Sequence, residues 1–520
     1  MSAPTVSITE PAASRRNHWV NHIALHAQSR PDATAVRFLG QDTTWAQLHR
    51  RFTAFAGALA RRGIGRGDRV LVLMLNNPQY LEAVFGINAI GAIAVPVNFR
   101  LTPPEIGYLA ADSGAVAIVT DTVLAPLAAA VRAGRPELST CVVVGAATEG
   151  DLLGYEDLLA EPGSPHEPLD IPEDSPALVM YTSGTTGSPK GAVLTHGNLN
   201  AQSLTCIRAL DSRPGDITFC TSPLFHIAGL GSLAPAFQLG IATVLHPLTA
   251  FDAAQMLDAL EREQATSVFM VPAQWQLTCA EQAARPRKLA LRVISWGAAP
   301  ASDTVLRAMA DTFPDALNVA VFGQTEMSPI TCVLEGADAI RKLGSVGKPI
   351  PTIATRIVDD AMNDVAPGDI GEIVYRGPTL MQGYWNNPDA TAEAFAGGWF
   401  HSGDLVRQDD EGFVYVVDRK KDMIISGGEN IYCAEVENVL FAHPKIREAA
   451  VIGRPDEQWG EIPVAVVALE PDATLALDEL AAFLNTRLAR YKHPKDLILT
   501  DALPRNASGK VVKPRLRESL

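Results

Sequence analysis

The feature that most constrains this chain is its alternation of short β-rich apolar runs with stretches of helical composition. VLVLML from Val70, VAIVTD from Val116, CVVVG from Cys141, LVMYTSG from Leu178, SVFMVP from Ser267, RVISWG from Arg292 and VAVFG from Val319 recur in this way. Strands alternating with helices predict α/β layers with largely parallel sheets. After about Gly344 the pattern changes. TRIVD, GEIVYRG and GFVYVVDR are short runs between Pro/Gly turns, which predicts a smaller antiparallel or barrel-like unit. Beyond Lys421, EAAVIGRPD, VAVVALE and the helical LDELAAFLNTRLARY predict a compact α+β domain. With 520 residues the chain exceeds a single core. The expected division is a large N-terminal α/β domain over 1–420, its barrel-like part starting near 344, followed by a small mobile α+β C-terminal domain over 421–520.

Charge and cysteine usage narrow the function classes. The formal net charge of −15 argues against nucleic acid, which needs a basic stripe. The basic run from Arg487 to Arg517 reads equally well as a solvated surface. Six scattered cysteines without a CxxC pair argue against a zinc site or a disulfide framework and fit a reduced, cytoplasmic protein. The first residues lack the apolar core of a secretory signal. The longest apolar run, Ala83 to Phe99, is broken by Gly86, Asn88, Gly91 and Pro96; it predicts a buried helix running into a strand, not an integral membrane span. Peripheral membrane contact stays open, although no basic amphipathic anchor stands out.

The segment YTSGTTGSPKG, Tyr181 to Gly191, concentrates hydroxyls, glycines and one lysine directly after an apolar strand. Backbone N–H groups of such a loop can approach phosphate oxygens, with hydroxyls as further donors. Thr182, Ser183, Gly184, Thr185, Thr186 and Gly187 are the candidate donors, and Lys190 the candidate cation. The loop is not a Walker A motif: Pro189 stands where the second glycine belongs, and Gly191 follows the lysine.

This loop resembles the signature of the adenylate-forming superfamily, which includes acyl-CoA synthetases. The other motifs carrying the resemblance follow in the expected order: WGAAP ending at Pro300, FGQTE from Phe322, HSGDL from His401, DRKKDMI from Asp418, SGGENIY from Ser426 and PRNASGK ending at Lys510. The resemblance implies ATP and coenzyme A as cosubstrates and Mg²⁺ as the metal. By it, Gly297, Ala298, Ala299, Pro300 and Phe322 form the adenine pocket, and Gly323 and Gln324 also bind the nucleotide. Asp404 takes the ribose hydroxyls, as a carboxylate accepting two hydrogen bonds can, and Arg419 reaches the ribose–phosphate region. Thr325 contacts the α-phosphate. Glu326 ligates Mg²⁺ with Thr182 as a hydroxyl partner, in keeping with the few carboxylates magnesium needs. Lys510 is the catalytic lysine of the first step, because attack of a carboxylate on a phosphate needs charge neutralisation and orientation. Lys421 is the hinge and also borders the nucleotide. Gly427, Gly428, Glu429 and Trp459 line the coenzyme A path, where glycine suits a narrow wall. Cys433 departs from the family, whose members more often carry proline after NIY.

LFHIAG from Leu224 resembles the segment beside the acyl pocket and makes His226 a candidate catalytic residue. A histidine there, in place of an aspartate, argues against an amino-acid substrate. Leu224, Ile227, Leu230 and Leu233 suit an alkyl or ring substituent. The expected reaction is activation of an apolar carboxylic acid and its transfer to coenzyme A, with a medium- or long-chain fatty acid as the first reading. An aryl or short branched acid is the alternative, as is a CoA-independent acyl-AMP ligase or luciferase-like oxygenase. A homodimer is compatible with the sequence.

Overall fold

The computed structural model describes residues 12–145, 152–162, 169–182, 188–248, 250–299, 301–427, 429–505 and 511–518. The chain divides into two compact units, residues 1–354 with 376–395, and residues 355–375 with 396–520.

The first unit is built on two large sheets, each with a parallel centre; the nine-stranded sheet has antiparallel strands at both edges and the eight-stranded sheet at one. In the nine-stranded sheet the spatial order runs Lys348–Pro349, Ile330–Glu335, Leu317–Gly323, Val293–Gly297, Ser267–Met270, Ile217–Cys220, Ala242–Leu245, Thr34–Phe38, Gln41–Thr44. The pairs from Leu317–Gly323 through to Thr34–Phe38 are parallel, and the outer pairs antiparallel. In the eight-stranded sheet the order is Gly383–Tyr384, Lys190–Thr195, Pro176–Thr182, Ile93–Pro96, Arg69–Leu73, Ala117–Asp121, Thr140–Val144, Leu153–Gly154. Here the first three strands pair antiparallel and the rest parallel. Parallel neighbours need long crossovers, as Pro78–Ala89 supplies between Arg69–Leu73 and Ile93–Pro96, while Trp45–Arg61 leads from one sheet to the other. Each has a sequence-encoded start. Thr44 and Gln47 form a reciprocal capping box. The Asn77 side chain accepts the Tyr80 N–H at 2.9 Å, with Pro78 as the first helical residue. The apolar run from Ala83 forms the buried half of the second helix and then the buried strand Ile93–Pro96. Among the described residues no helix is long and apolar enough to cross a membrane.

The second unit carries two smaller sheets. The short strands expected after Gly344 form a four-stranded sheet ordered Ala354–Val358, Gly371–Arg376, Phe400–Gln408, Val414–Arg419, whose last three strands pair antiparallel. Residues 348–349 instead extend the nine-stranded sheet of the first unit, because they pair with Ile330–Glu335. The second small sheet is ordered Glu429–Ile431, Ile424–Ser426, Gly460–Leu469, Ile446–Asp456, with Asp496–Leu499 added in parallel to Gly460–Leu469. Helices Cys433–Phe441 and Leu477–Leu484 bury Val436, Leu440, Leu480 and Leu484 in its core. The six cysteines are buried free thiols.

Candidate active site

Both functional segments of the first unit lie at the antiparallel edges of its sheets. Pro176–Thr182 turns back into Lys190–Thr195, and the register pairs Thr182 with Lys190. The ends of the hydroxyl-rich loop are therefore held by backbone ladder bonds; Ser183, Gly184, Thr185, Thr186 and Gly187 lie outside the described residues, as do Pro300, Gly428 and Lys510.

Around Glu326 the structure assembles residues that are distant in sequence. Its carboxylate is buried, at 8% exposure. Thr182 Oγ1 donates to Glu326 Oε1 at 3.3 Å, and the Tyr384 hydroxyl donates to the same oxygen at 3.1 Å. Lys190 Nζ lies 5.3 Å from the centre of the Tyr384 ring. The Glu326 backbone carbonyl accepts the Met381 N–H at 2.8 Å, tying the segment before Tyr384 to FGQTE. Burial, reinforced by the Glu326 charge, pushes the Tyr384 hydroxyl well above its ordinary value, so it stays a neutral donor. Both donors to Glu326 are thus uncharged. Among the described residues no group of three or more His, Cys, Asp or Glu could hold a metal ion. A metal here would take one carboxylate, a hydroxyl and oxygens from substrate and water, a donor set that fits Mg²⁺.

Next to this cluster, Gly297 and Val321 are partners on adjacent parallel strands. A Cβ on Gly297 would collide with the Val321 carbonyl oxygen, so only glycine allows this approach. Ala298 follows with φ 63°, the left-handed region. Phe322 and Gly323 end the strand Leu317–Gly323, with Thr331 Oγ1 donating to the Phe322 carbonyl at 3.1 Å. Gln324 Nε2 is a buried donor that has no partner among the described residues. Thr325 opens a short 3₁₀ turn through Met327. Ends of strands, one glycine-tight contact and an unmatched amide make a surface suited to a planar polar ligand.

His226 caps the helix Ile227–Leu239: its Nδ1 accepts the Ala228 N–H at 3.1 Å. A neutral ring held this way carries its proton on Nε2. Phe225 packs edge-on against Phe99 at 5.4 Å between ring centres. Leu224, Ile227, Leu230 and Leu233 are all buried. Gly231 lies between Ile227 and Pro329, where an added Cβ would press on the Ile227 side chain at 2.7 Å.

In the second unit Asp404 and Arg419 are cross-strand partners. Arg419 Nε reaches Asp404 Oδ1 at 2.7 Å, and Asp404 is only 3% exposed. Glu372 braces the residues flanking this pair, accepting the Gly403 N–H at 3.0 Å and pairing with Lys420 at 3.2 Å and His401 at 3.1 Å. Burial works against its charge, but these partners win and hold its carboxyl below the ordinary range. Burial lowers the Lys421 amine; Asp422 opposes this, while Arg419, Arg517 and Lys513 add to it. Gly427 has φ +60°, and its missing Cβ leaves room for the Trp459 ring, which would otherwise be 2.7 Å away. The Gly427 N–H donates to the Trp459 carbonyl at 2.8 Å. Glu429 is the exposed cross-strand partner of Ser426.

The structure therefore unites Thr182, Lys190 and Glu326, sets Gly297 to Ala299 beside Phe322 to Thr325, pairs Asp404 with Arg419, and joins Gly427 to Trp459. Sequence reading missed Tyr384. It sits 58 residues from Glu326 in a two-residue strand, and its only local signal is an aromatic pair, Tyr384 with Trp385.

The two halves of this arrangement match two family models in full order. Residues 23–385 match the AMP-binding enzyme model and 435–510 the AMP-binding enzyme C-terminal domain. The chain belongs to this family, the adenylate-forming AMP-binding enzymes. Within it the chain is an AMP-forming acid–thiol ligase. It is 42% identical over 495 residues to a feruloyl-CoA synthase from an Amycolatopsis species, covering 94% of this chain and 96% of that one. An indoleacetate–CoA ligase from Aromatoleum aromaticum is 39% identical over 508 residues, covering 96% and 97%. Among solved structures, the o-succinylbenzoate–CoA synthetase of Bacillus subtilis with its acyl-adenylate aligns with TM-score 0.85 and 31% identity, over 96% of this chain and 98% of that chain.

Proposed function

We propose that this enzyme activates an aromatic carboxylic acid with ATP and Mg²⁺ and passes the acyl group to coenzyme A in the cytoplasm. The observation carrying the substrate class is near full-length similarity to ligases named for feruloyl, indoleacetate and succinylbenzoate substrates. This favours the aryl alternative over the fatty acid of the first sequence reading. The Phe99–Phe225 pair next to His226 supports a flat substituent.

In the first step a carboxylate oxygen attacks the α-phosphorus and the bond to pyrophosphate breaks. Both reactants are anions, so neutralisation and alignment are what this chain must supply. Lys190 and the hydroxyls from Thr182 onward hold the phosphates; Thr325 holds the α-phosphate. Glu326, whose Oε1 accepts from Thr182 and Tyr384, would hold Mg²⁺ with Thr182 as its hydroxyl partner. Bound there, the metal would supply charge neutralisation to the phosphates. Asp404 takes the ribose hydroxyls and Arg419 fixes Asp404. Lys510 bridges carboxylate and phosphate. His226, donating from Nε2, orients the acid. In the second step the coenzyme A thiolate attacks the acyl carbon and AMP leaves. The segment 421–520 turns about Lys421 between the steps, and Gly427, Gly428, Glu429 and Trp459 line the thiol's path.

The test is AMP release from an acid panel, with and without coenzyme A. Ferulate-like and arylacetic acids should exceed octanoate and palmitate in kcat/KM at least tenfold. Equal or better turnover of the straight-chain acids overturns the aryl reading, and AMP release indifferent to coenzyme A overturns the transfer step.

A further inference from the structure

The two large sheets of the first unit are bridged by a side chain that the reaction as described does not use. Asn76 lies between the strand Arg69–Leu73 of the eight-stranded sheet and the helix Pro78–Ala89. It is 3% exposed, and its polar contacts fall on segments of the nine-stranded sheet. Its Oδ1 accepts the Leu224 N–H at 2.9 Å and its Nδ2 donates to the Ser222 carbonyl at 2.9 Å. The His246 carbonyl lies 3.5 Å from the same nitrogen. Ser222 and Leu224 follow the strand Ile217–Cys220, and His246 follows Ala242–Leu245. These partners fix the amide's orientation, since turning it over would set its oxygen against carbonyls and its NH₂ against an N–H. The turn carrying Asn76 is itself held. The Leu75 N–H donates at 2.8 Å to Asp121 Oδ2, at the end of the neighbouring parallel strand Ala117–Asp121.

What Asn76 grips is the segment that presents Phe225 and His226. Leu224 is fully buried, so its N–H needs a partner within the protein. One residue further on, Phe225 meets the ring of Phe99, which follows the strand Ile93–Pro96 of the eight-stranded sheet. The His226 N–H donates to the Pro223 carbonyl at 3.1 Å, and a Cβ on Gly229 would collide with that carbonyl oxygen. Thr221 Oγ1 donates to the Phe269 carbonyl at 2.7 Å, which secures the start of the segment to its own sheet. Asn76 is the hydrogen-bonded tie that comes from across.

We propose that Asn76 is a positioning residue for the carboxylic acid: by holding Ser222 and Leu224 from the opposite sheet, it sets Phe225 and His226 against Phe99 and so fixes where the acid lies. The inference rests on the reading of Phe225 and His226 as the acid's neighbours. Asn76 itself offers the acid nothing, because its amide is spent on backbone groups. Its effect therefore passes through Phe225 and His226. Without Asn76 the Leu224 N–H and the Ser222 carbonyl lose these partners, and the segment must shift to find others. A shift of about 1 Å in groups that orient a substrate can cost on the order of a hundredfold.

The experiment is acid-dependent ATP–pyrophosphate exchange by the full chain, with a melt of each protein. The proteins are wild type, Asn76→Ala, Asn76→Asp, the pair Phe225→Ala with His226→Ala, and that pair combined with Asn76→Asp. The acid is the one the panel shows to be turned over fastest, so an incorrect assignment of its class leaves the test intact. Asn76→Asp keeps the volume and the acceptor for Leu224 but loses the donor to Ser222. Each Asn76 variant should raise the KM for the acid at least about tenfold and leave the KM for ATP within about twofold of wild type. Added to the Phe225/His226 pair, Asn76→Asp should change the acid KM by less than about twofold, because residues that act through one another are not additive. A merely structural role lowers the melting temperature and kcat and leaves both KM values in place. An unmoved acid KM in Asn76→Asp, an equal rise in the KM for ATP, or an undiminished effect on top of the pair overturns the proposal. If Asn76→Ala does not fold, Asn76→Asp decides alone; failure of both to fold assigns Asn76 to the fold and overturns it. If the Phe225/His226 pair leaves the acid KM at wild type, the reading of these residues as the acid's neighbours fails and takes the proposal with it. If the pair raises the acid KM and Asn76→Asp does not, the positioning role fails alone.

Discussion

Glu326 and Asp418 are both buried carboxylates next to nucleotide motifs, yet their surroundings are opposite. Glu326 receives two neutral hydroxyls, Thr182 and Tyr384, on a single oxygen. Asp418 receives backbone N–H groups on both oxygens, from Arg419 and from Cys433. A carboxylate whose hydrogen bonds fall on one oxygen has lone pairs to offer on the other. One that accepts a backbone N–H on each oxygen is spent on holding its neighbours.

The comparison can be broken in order of effect. Lys510→Ala should lower acid-dependent ATP–pyrophosphate exchange about a hundred- to thousandfold while sparing thioester formation from supplied acyl-adenylate. Equal loss in both half-reactions would remove the lysine from the first step. Glu326→Gln should lower adenylation roughly a hundredfold and raise the Mg²⁺ concentration for half-maximal rate; an unchanged Mg²⁺ curve would return Glu326 to a structural role. Tyr384→Phe removes one neutral donor, so a loss of about tenfold in adenylation is expected, together with a modest change in the Mg²⁺ curve. A variant indistinguishable from wild type in both would show that Thr182 alone suffices.

Asp418 provides the smallest and sharpest contrast. Its carboxyl is raised from 3.8 to about 6, so the stability it contributes is full below 3.8 and is lost as pH rises through about 6. On acidification from pH 7 to pH 5.5, this group should therefore add a little to the melting temperature. Melts of wild type and Asp418→Asn at the two pH values check the sign; a pH effect that the variant keeps in full would remove Asp418 as its source. Cys433→Pro extends the same comparison. Proline has no N–H for Asp418 Oδ2, so the melting temperature should fall, whereas with Cys433→Ser, which keeps the N–H, it should fall less. In this chain the Cys433 N–H donates to Asp418, and its Sγ donates to the Asp422 carbonyl at 2.9 Å.

Much of the site was legible in the chain because its motifs are local. Thr182 and Lys190 flank one loop, Gly297 to Ala299 form one strand end, and Asp404 and Arg419 lie in two consecutive strands joined by a short turn. Residue type and spacing also made the parallel α/β centre and the later antiparallel strands readable. What the chain alone did not disclose depends on contacts between distant segments. The short strand bearing Tyr384 reaches the site by pairing with Lys190–Thr195, a register no local pattern encodes. In the basic C-terminal run, Lys513 pairs with Glu437 and Arg517 with Asp422, contacts that no local pattern encodes. The sequence by itself determined the family and its ligase chemistry, since the motifs that carry them are contiguous. Tertiary structure alone decided which carboxylate is held by backbone N–H groups and which by hydroxyls from distant strands, because hydrogen-bond partners are a property of neighbours in space.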